Sequence, residues 1–329
     1  MQHAVEVDHV SHSYERTRGF GRLLRRLPDR GRSVSPALND VSFSVREGEM
    51  FCLLGPNGSG KSTLFRILST LMQQTSGSVR ILGRDSSTHL VETRRDIGVV
   101  FQHPSLDGKL SARENLLCQG ALYNLRGAGL RNKIDGLLAR VGLSDRAGDM
   151  VDTLSGGMQR RVELAKAFVH NPRLLILDEA STGLDPGARK DFDGFLKQLC
   201  SEGGTTALLT THILDEAELC DCIAILDRGS LVALGSPLKL KQEIGTDIVS
   251  IATSDPENVS RVIREKFGGA PQLIDGMIRI ERRDGHEFIP QLVRALPGVI
   301  DAVTFSKPTL EDVFIRKTGH TFREKGGNS

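Results

Sequence analysis

The chain has 329 residues, enough for one large domain with a smaller one attached. Hydrophobic residues make up 39% and charged residues 26%, so the composition supports a packed core and excludes global disorder. The formal net charge is +2, aromatics are 5% and Trp is absent, which leaves neither a chain-wide basic bias nor a stacking platform for nucleic acid. Cys52, Cys118, Cys200, Cys220 and Cys222 form no CxxC pair. Their scatter fits reduced thiols better than a disulfide framework or a zinc site. No signal-peptide pattern opens the chain, and no apolar run nears the ~18 residues of a membrane helix. The chain is not expected to span a membrane by itself.

In chain order, AVEVDHVSHSY and ALNDVSFSV are strand-like segments. Between them lies Glu15–Ser35, ERTRGFGRLLRRLPDRGRSVS, with seven arginines. Phe20, Leu23, Leu24 and Leu27 fall at i, i+3, i+4 and i+7, while Arg22, Arg25 and Arg26 lie off that stripe and Pro28 ends it. The pattern predicts a short basic amphipathic helix, of the kind that lies on a membrane surface or a partner helix. A solvated arginine-rich loop is the other reading, since so short a helix is marginal alone.

FCLL is a short apolar strand, GPNGSGKST follows from Gly55 to Thr63, and LFRILSTLM reads as a helix. This is GxxxxGK[ST] in its required strand–loop–helix context. Glycines let backbone N–H groups curl toward phosphate, and the helix start adds partial positive charge. Lys61 should reach the β- and γ-phosphates, and Ser62 should offer its hydroxyl to a Mg ion. From His103 to about His170 the chain reads as helical, through SARENLLCQGALYNL and NKIDGLLARVGL. LSGGMQRR opens a further helix whose Met158, Val162, Ala165 and Val169 share one face. Ser155, Gly156 and Gly157 at its start predict a second anion site. Two such sites far apart in one chain suggest two copies with a nucleotide between them. LLILDEA is a second buried strand, with Asp178 at its carboxyl end as a metal-holding carboxylate and Glu179 beside it to orient or deprotonate water. After Gly235 the order strand, helix, strands with a turn near Asp275 and Gly276, helix, strand predicts a small α+β unit.

These segments together resemble the ATP-binding subunit of an ABC transporter, from Val5 to about Gly235. Gly55, Pro56, Asn57, Gly58, Ser59, Gly60, Lys61, Ser62 and Thr63 match Walker A. Gln102 in VVFQHPS matches the Q-loop, and Leu154 to Gln159 match the signature motif. Leu174 to Glu179 match Walker B with its glutamate. STGLD, ending at Asp185, matches the D-loop, and His212 in ALLTTH the switch histidine. The resemblance implies an α/β P-loop ATPase core over 1–240 with a helical subdomain at about 103–170, and an accessory α+β domain over 241–329. It implies ATP and Mg as ligands, with Ser62, Gln102 and Asp178 at the metal. It implies that Glu179, His212 and Gln102 serve hydrolysis, that Tyr14 stacks on adenine, and that Ser155, Gly156, Gly157, Gln159 and Asp185 meet nucleotide or the other copy.

The partners implied are a second copy closing on two ATP molecules and a separately encoded membrane-spanning permease that the helical subdomain docks. The place implied is the cytoplasmic face of the cell membrane, peripherally, with 15–35 touching the membrane surface. PTLEDVFIRKTGH resembles the tail of drug-resistance-type export ATPases. The alternatives are an importer ATPase or a soluble ATPase of this family acting on ribosomes or DNA. The tail alternation, the single cassette and the lack of a coiled-coil heptad run argue against them. The family usually has Pro after the glutamate; here it is Ala180, which loses the stiffening of a fixed φ.

Overall fold

The computed structural model describes residues 2–14 and 36–322. The stretch 15–35, with its expected amphipathic helix, lies outside the described residues. The chain divides into two compact units, Met1–Leu231 and Val232–Ser329.

The first unit is built on a six-stranded sheet in the order Ser230–Gly235, Cys222–Asp227, Met50–Leu54, Thr206–Thr211, Leu174–Asp178, Ile97–Val100. From Cys222–Asp227 onward, neighbouring strands run parallel. Parallel strands covered on both faces read as continuous apolar runs, and every residue of Leu174–Asp178 and of Thr206–Thr211 is buried. An antiparallel sheet lies beside it, ordered Pro36–Arg46, His3–Ser13, Ser76–Ile81, Arg84–Asp85. One core cluster joins the two sheets, and Phe43 stacks on Phe51 with ring centres 5.1 Å apart. Phe51→Ala removes a fully buried ring from that seam. It is expected to cost about 3–5 kcal/mol, read as a lower denaturant midpoint with an unchanged m-value.

The segment from His103 to His170 carries helices at Ala112–Leu122, Gly127–Arg140 and Gly156–Ala167. Ser111 and Glu114 close a capping box on the first. Leu130, Ile134, Leu137 and Leu138 bury one face of the second. The third differs from the sequence pattern. It ends at Ala167, before Val169, and its buried residues include Arg160 and Glu163 beside Val162, Leu164 and Ala165. Those charges are buried because each has partners, given below.

The second unit has an antiparallel sheet ordered Gln272–Ile274, Met277–Arg282, Asp247–Thr253, Ile300–Ser306. Helices Pro256–Val262 and Gly285–Ala295 complete the expected β-α-β-β-α-β order. Val249, Ile251, Ile278, Ile280, Phe288 and Leu292 share its core. Asp275 and Gly276, at φ 48° and 79°, make the tight hairpin turn. Helix Pro237–Ile244 packs with the C-terminal helix Leu310–Thr318 in the second unit. Lys317 Nζ lies 2.9 Å from the Glu243 carboxylate, and Arg316 donates to the Glu243 carbonyl at 3.1 Å.

Candidate functional site

The glycine loop leaves the carboxyl end of Met50–Leu54 and enters helix Lys61–Leu68. Gly58 and Gly60 take φ values of 79° and 104°, which side chains resist. At Gly60 a Cβ would also come within 2.7 Å of the Ala37 carbonyl. Lys61 is 3% exposed. Its ammonium donates to the carbonyls of Gly55 at 2.8 Å and Pro56 at 3.1 Å, and lies 3.4 Å from Glu179 Oε1. Burial pushes the Lys61 pKa down, with Glu179 opposing. Tyr14, half exposed, places its hydroxyl 3.2 Å from Thr63 Oγ1, and its ring meets His12 edge-on.

Asp178 and Glu179 sit at the end of Leu174–Asp178, where an open parallel sheet binds ligands. Burial raises the Asp178 pKa against the Thr210 hydrogen bond, which lowers it. Thr210, on the neighbouring strand, donates its hydroxyl to Asp178 Oδ1 at 2.6 Å and receives the Glu179 N–H on that same oxygen at 3.1 Å. The Glu179 N–H also reaches the Thr210 carbonyl at 3.1 Å. Glu179 itself stands at φ 43°, a left-handed backbone that costs on the order of 1–3 kcal/mol away from glycine. The Thr210 bonds hold it there. Three side chains converge on its carboxylate: Lys61 at Oε1, Gln102 Nε2 at 3.4 Å from Oε2, and His212 Nδ1 at 3.3 Å from Oε2. The His212 approach has ion-pair distance without hydrogen-bond alignment.

A carboxylate so placed, with an imidazole and an amide beside it, can accept a proton from water. Ser62, Gln102 and Asp178 carry oxygens of the hard type that Mg prefers. Gly58 and Gly60 at positive φ give the loop the kind of curl that can cradle phosphate.

The remaining sequence candidates make their hydrogen bonds elsewhere. Ser155 caps helix Gly156–Ala167 by accepting from the Met158 N–H at 3.3 Å. Gln159 donates its amide to the carbonyls of Val151 at 3.1 Å and Leu154 at 3.0 Å, so it braces the turn before its own helix. Asp185 caps helix Pro186–Gly203 through the N–H groups of Gly187 and Ala188 at 3.0 Å. Sequence reasoning missed Thr210. Its signal is the first of the two threonines that end the strand TALLTT, two residues before His212.

A second polar group lies behind the glutamate. Ser181 donates to Glu216, which follows His212 in sequence, and Arg189 lies 3.7 Å from the same Glu216 oxygen. Asp193 faces this pair, with Lys197 lining the same small cavity. Burial first, then the Glu216 charge, raise the Asp193 pKa to about 7, against Arg189. The folded state therefore binds a proton that the unfolded chain releases between about pH 4 and pH 7. Stability should fall as pH rises through that window, and Asp193→Asn should flatten the fall in melting temperature across it.

A glycine loop on a buried central strand, the helix behind it and a carboxylate pair two strands away define a P-loop nucleoside triphosphatase. Comparison with known proteins narrows the class. The ABC transporter family profile matches residues 38–182. The chain is 39% identical over 285 residues to the Nod factor export ATP-binding protein I of Rhizobium johnstonii, covering 86% of this chain and 90% of that one. It is 36% identical to the daunorubicin resistance ATP-binding protein DrrA3 of Streptomyces coeruleorubidus, covering 88% and 93%. Among solved structures it resembles the ATP-binding cassette MJ0796, a dimer in a post-hydrolysis state bound to ADP and Pi. The TM-score is 0.60 at 30% identity, over 70% of this chain and 98% of that one. The chain belongs to the ABC transporter family, as an ATP-hydrolysing subunit of the export type. Among the described residues no helix is long and apolar enough to cross a membrane.

Proposed function

We propose that two copies of this chain close on two ATP molecules and drive a separately encoded membrane-spanning permease from the cytoplasmic face of the membrane. The observation that carries the site is the convergence of Lys61, Gln102 and His212 on the Glu179 carboxylate. In this reading Glu179 takes a proton from the attacking water, and His212 and Lys61 meet the γ-phosphate. Gly55 to Thr63 wrap the phosphates, and Tyr14 stacks on adenine. Ser62, Asp178 and Gln102 would hold Mg, which when bound neutralises phosphate charge. Ser155, Gly156 and Gly157 of one copy, with Asp185 beside them, face the nucleotide of the other. Their position at a helix start, where N–H groups point outward, supports this.

The relatives' names point to export of small natural products, and we extend that class of cargo to this transporter. Residues 15–35 are proposed to touch the membrane surface, on their sequence pattern alone. The test is co-purification. The tagged full chain, and a form without 15–35, are recovered from gently solubilised membranes and their partners identified. A polytopic membrane protein with the full chain is the expected result, with weaker recovery when 15–35 is deleted. Recovery with ribosomes, or with no membrane protein, would sink the export reading.

A further inference from the structure

We propose that Arg160, Glu163 and Lys166, three residues along the helix Gly156–Ala167, are positioning residues that set Gln102 by gripping the backbone of Phe101–Ser105. The inference rests on the reading of Gln102 as a nucleotide- and metal-facing side chain, and it explains what holds that side chain in place.

Strand Ile97–Val100 pairs with Leu174–Asp178 as far as Val100 and Leu177. Beyond that point the ladder offers no donors, and the next carbonyls need partners of their own. Arg160 supplies them. One arm of its guanidinium donates to the Phe101 carbonyl at 2.7 Å, and the other to the Gln102 carbonyl. Glu163, one turn on, accepts the Ser105 N–H at 2.5 Å and its hydroxyl at 3.0 Å. Lys166, a further turn on, donates to the Ser105 carbonyl at 2.6 Å and hydroxyl at 2.9 Å. Residues three apart on a helix are neighbours, so the three side chains follow the segment as it passes.

Arg160 is 4% exposed and Glu163 3%. They lie 3.5 Å apart, which compensates two charges that burial would otherwise penalise. A forked cation at two successive carbonyls is a geometry that lysine cannot reproduce. The peptide of Gln102 is thus fixed at its carbonyl while its side chain extends to Glu179.

The same helix begins with Ser155, Gly156 and Gly157. A single rod therefore carries the glycine pair at its start and the grip on Gln102 in its middle. Coupling between two sites travels through packed, hydrogen-bonded contacts of this kind. A shift of the helix start when the second copy docks is passed to Gln102 without an intervening loop.

The test uses the full-length chain with Arg160→Met, Gln102→Ala, both together, and Glu163→Gln. Arg160→Met and Gln102→Ala should each lower kcat by about tenfold, and the double variant should fall no further than Gln102→Ala alone, because Arg160 acts through Gln102. Amide exchange without nucleotide should speed up across 101–105 in Arg160→Met and Glu163→Gln, with the helix 156–167 unchanged. Glu163→Gln is isosteric and carries the exchange test where loss of the guanidinium lowers the melting temperature. Losses that multiply in the double variant, or unchanged exchange at 101–105, would overturn the grip. An unchanged kcat in Gln102→Ala would instead overturn the reading of Gln102 on which it rests.

Discussion

Glu179→Gln is expected to slow ATP turnover by about 10²- to 10⁴-fold, the usual contribution of a positioned general base, while ATP stays bound. The amide keeps the side chain's shape, and the Glu179 backbone bonds to Thr210 do not involve the side chain at all. What disappears is the negative charge that Lys61 and His212 approach at 3.4 and 3.3 Å. On the proposed reading, loss of the base slows turnover of bound ATP, and the two-copy complex that ATP closes reopens correspondingly slowly. Single-turnover hydrolysis and gel filtration of the ATP-loaded variant measure both effects. A slow variant that elutes as a dimer is the expected outcome. Turnover at the wild-type rate would remove Glu179 from the role of base.

Lys61→Ala is expected to abolish ATP binding at working concentrations. The ammonium is buried in the glycine loop, already stripped of most of its water, and donates to the Gly55 and Pro56 carbonyls. Truncating one partner of a buried charge pair costs about 2–5 kcal/mol, on the order of 30-fold or more in Kd. Lys61→Arg should not restore binding, because a planar fork does not reproduce the compact ammonium that donates to the Gly55 and Pro56 carbonyls. Titration with a fluorescent ATP analogue reads the loss directly. An unchanged Kd would show that the loop binds phosphate through its backbone alone.

Much of this was legible in the sequence for one physical reason. Strands buried on both faces cannot alternate, so FCLL and LLILD announced themselves as short apolar runs, and the glycine loop between strand and helix needed only spacing to be read. The C-terminal β-α-β-β-α-β order was readable because its turns carry Asp275 and Gly276. What escaped depends on register or on distant partners. Thr210 matters because it stands opposite Asp178 in the sheet, and no local pattern shows which residues pair across strands. Arg160 and Glu163 look like solvent-facing charges until the backbone of Phe101–Ser105 is laid against them. The Gln159 amide donates to the carbonyls of Val151 and Leu154, partners that its motif does not announce. Only contacts such as Glu243–Lys317 show that helix Pro237–Ile244 belongs with the C-terminal helix.

The order of strands has one more consequence. Thr206–Thr211 lies between Met50–Leu54 and Leu174–Asp178 and is laddered to both along its length. It leads into His212, while its neighbours lead into the glycine loop and the carboxylate pair. A slip by one residue would turn its side chains to the opposite face of a packed sheet. The three strands therefore behave as a fixed anvil. The work of each ATP cycle has to appear as displacement in the parts that hang from that anvil by loops, and the distances within it should stay the same in every nucleotide state.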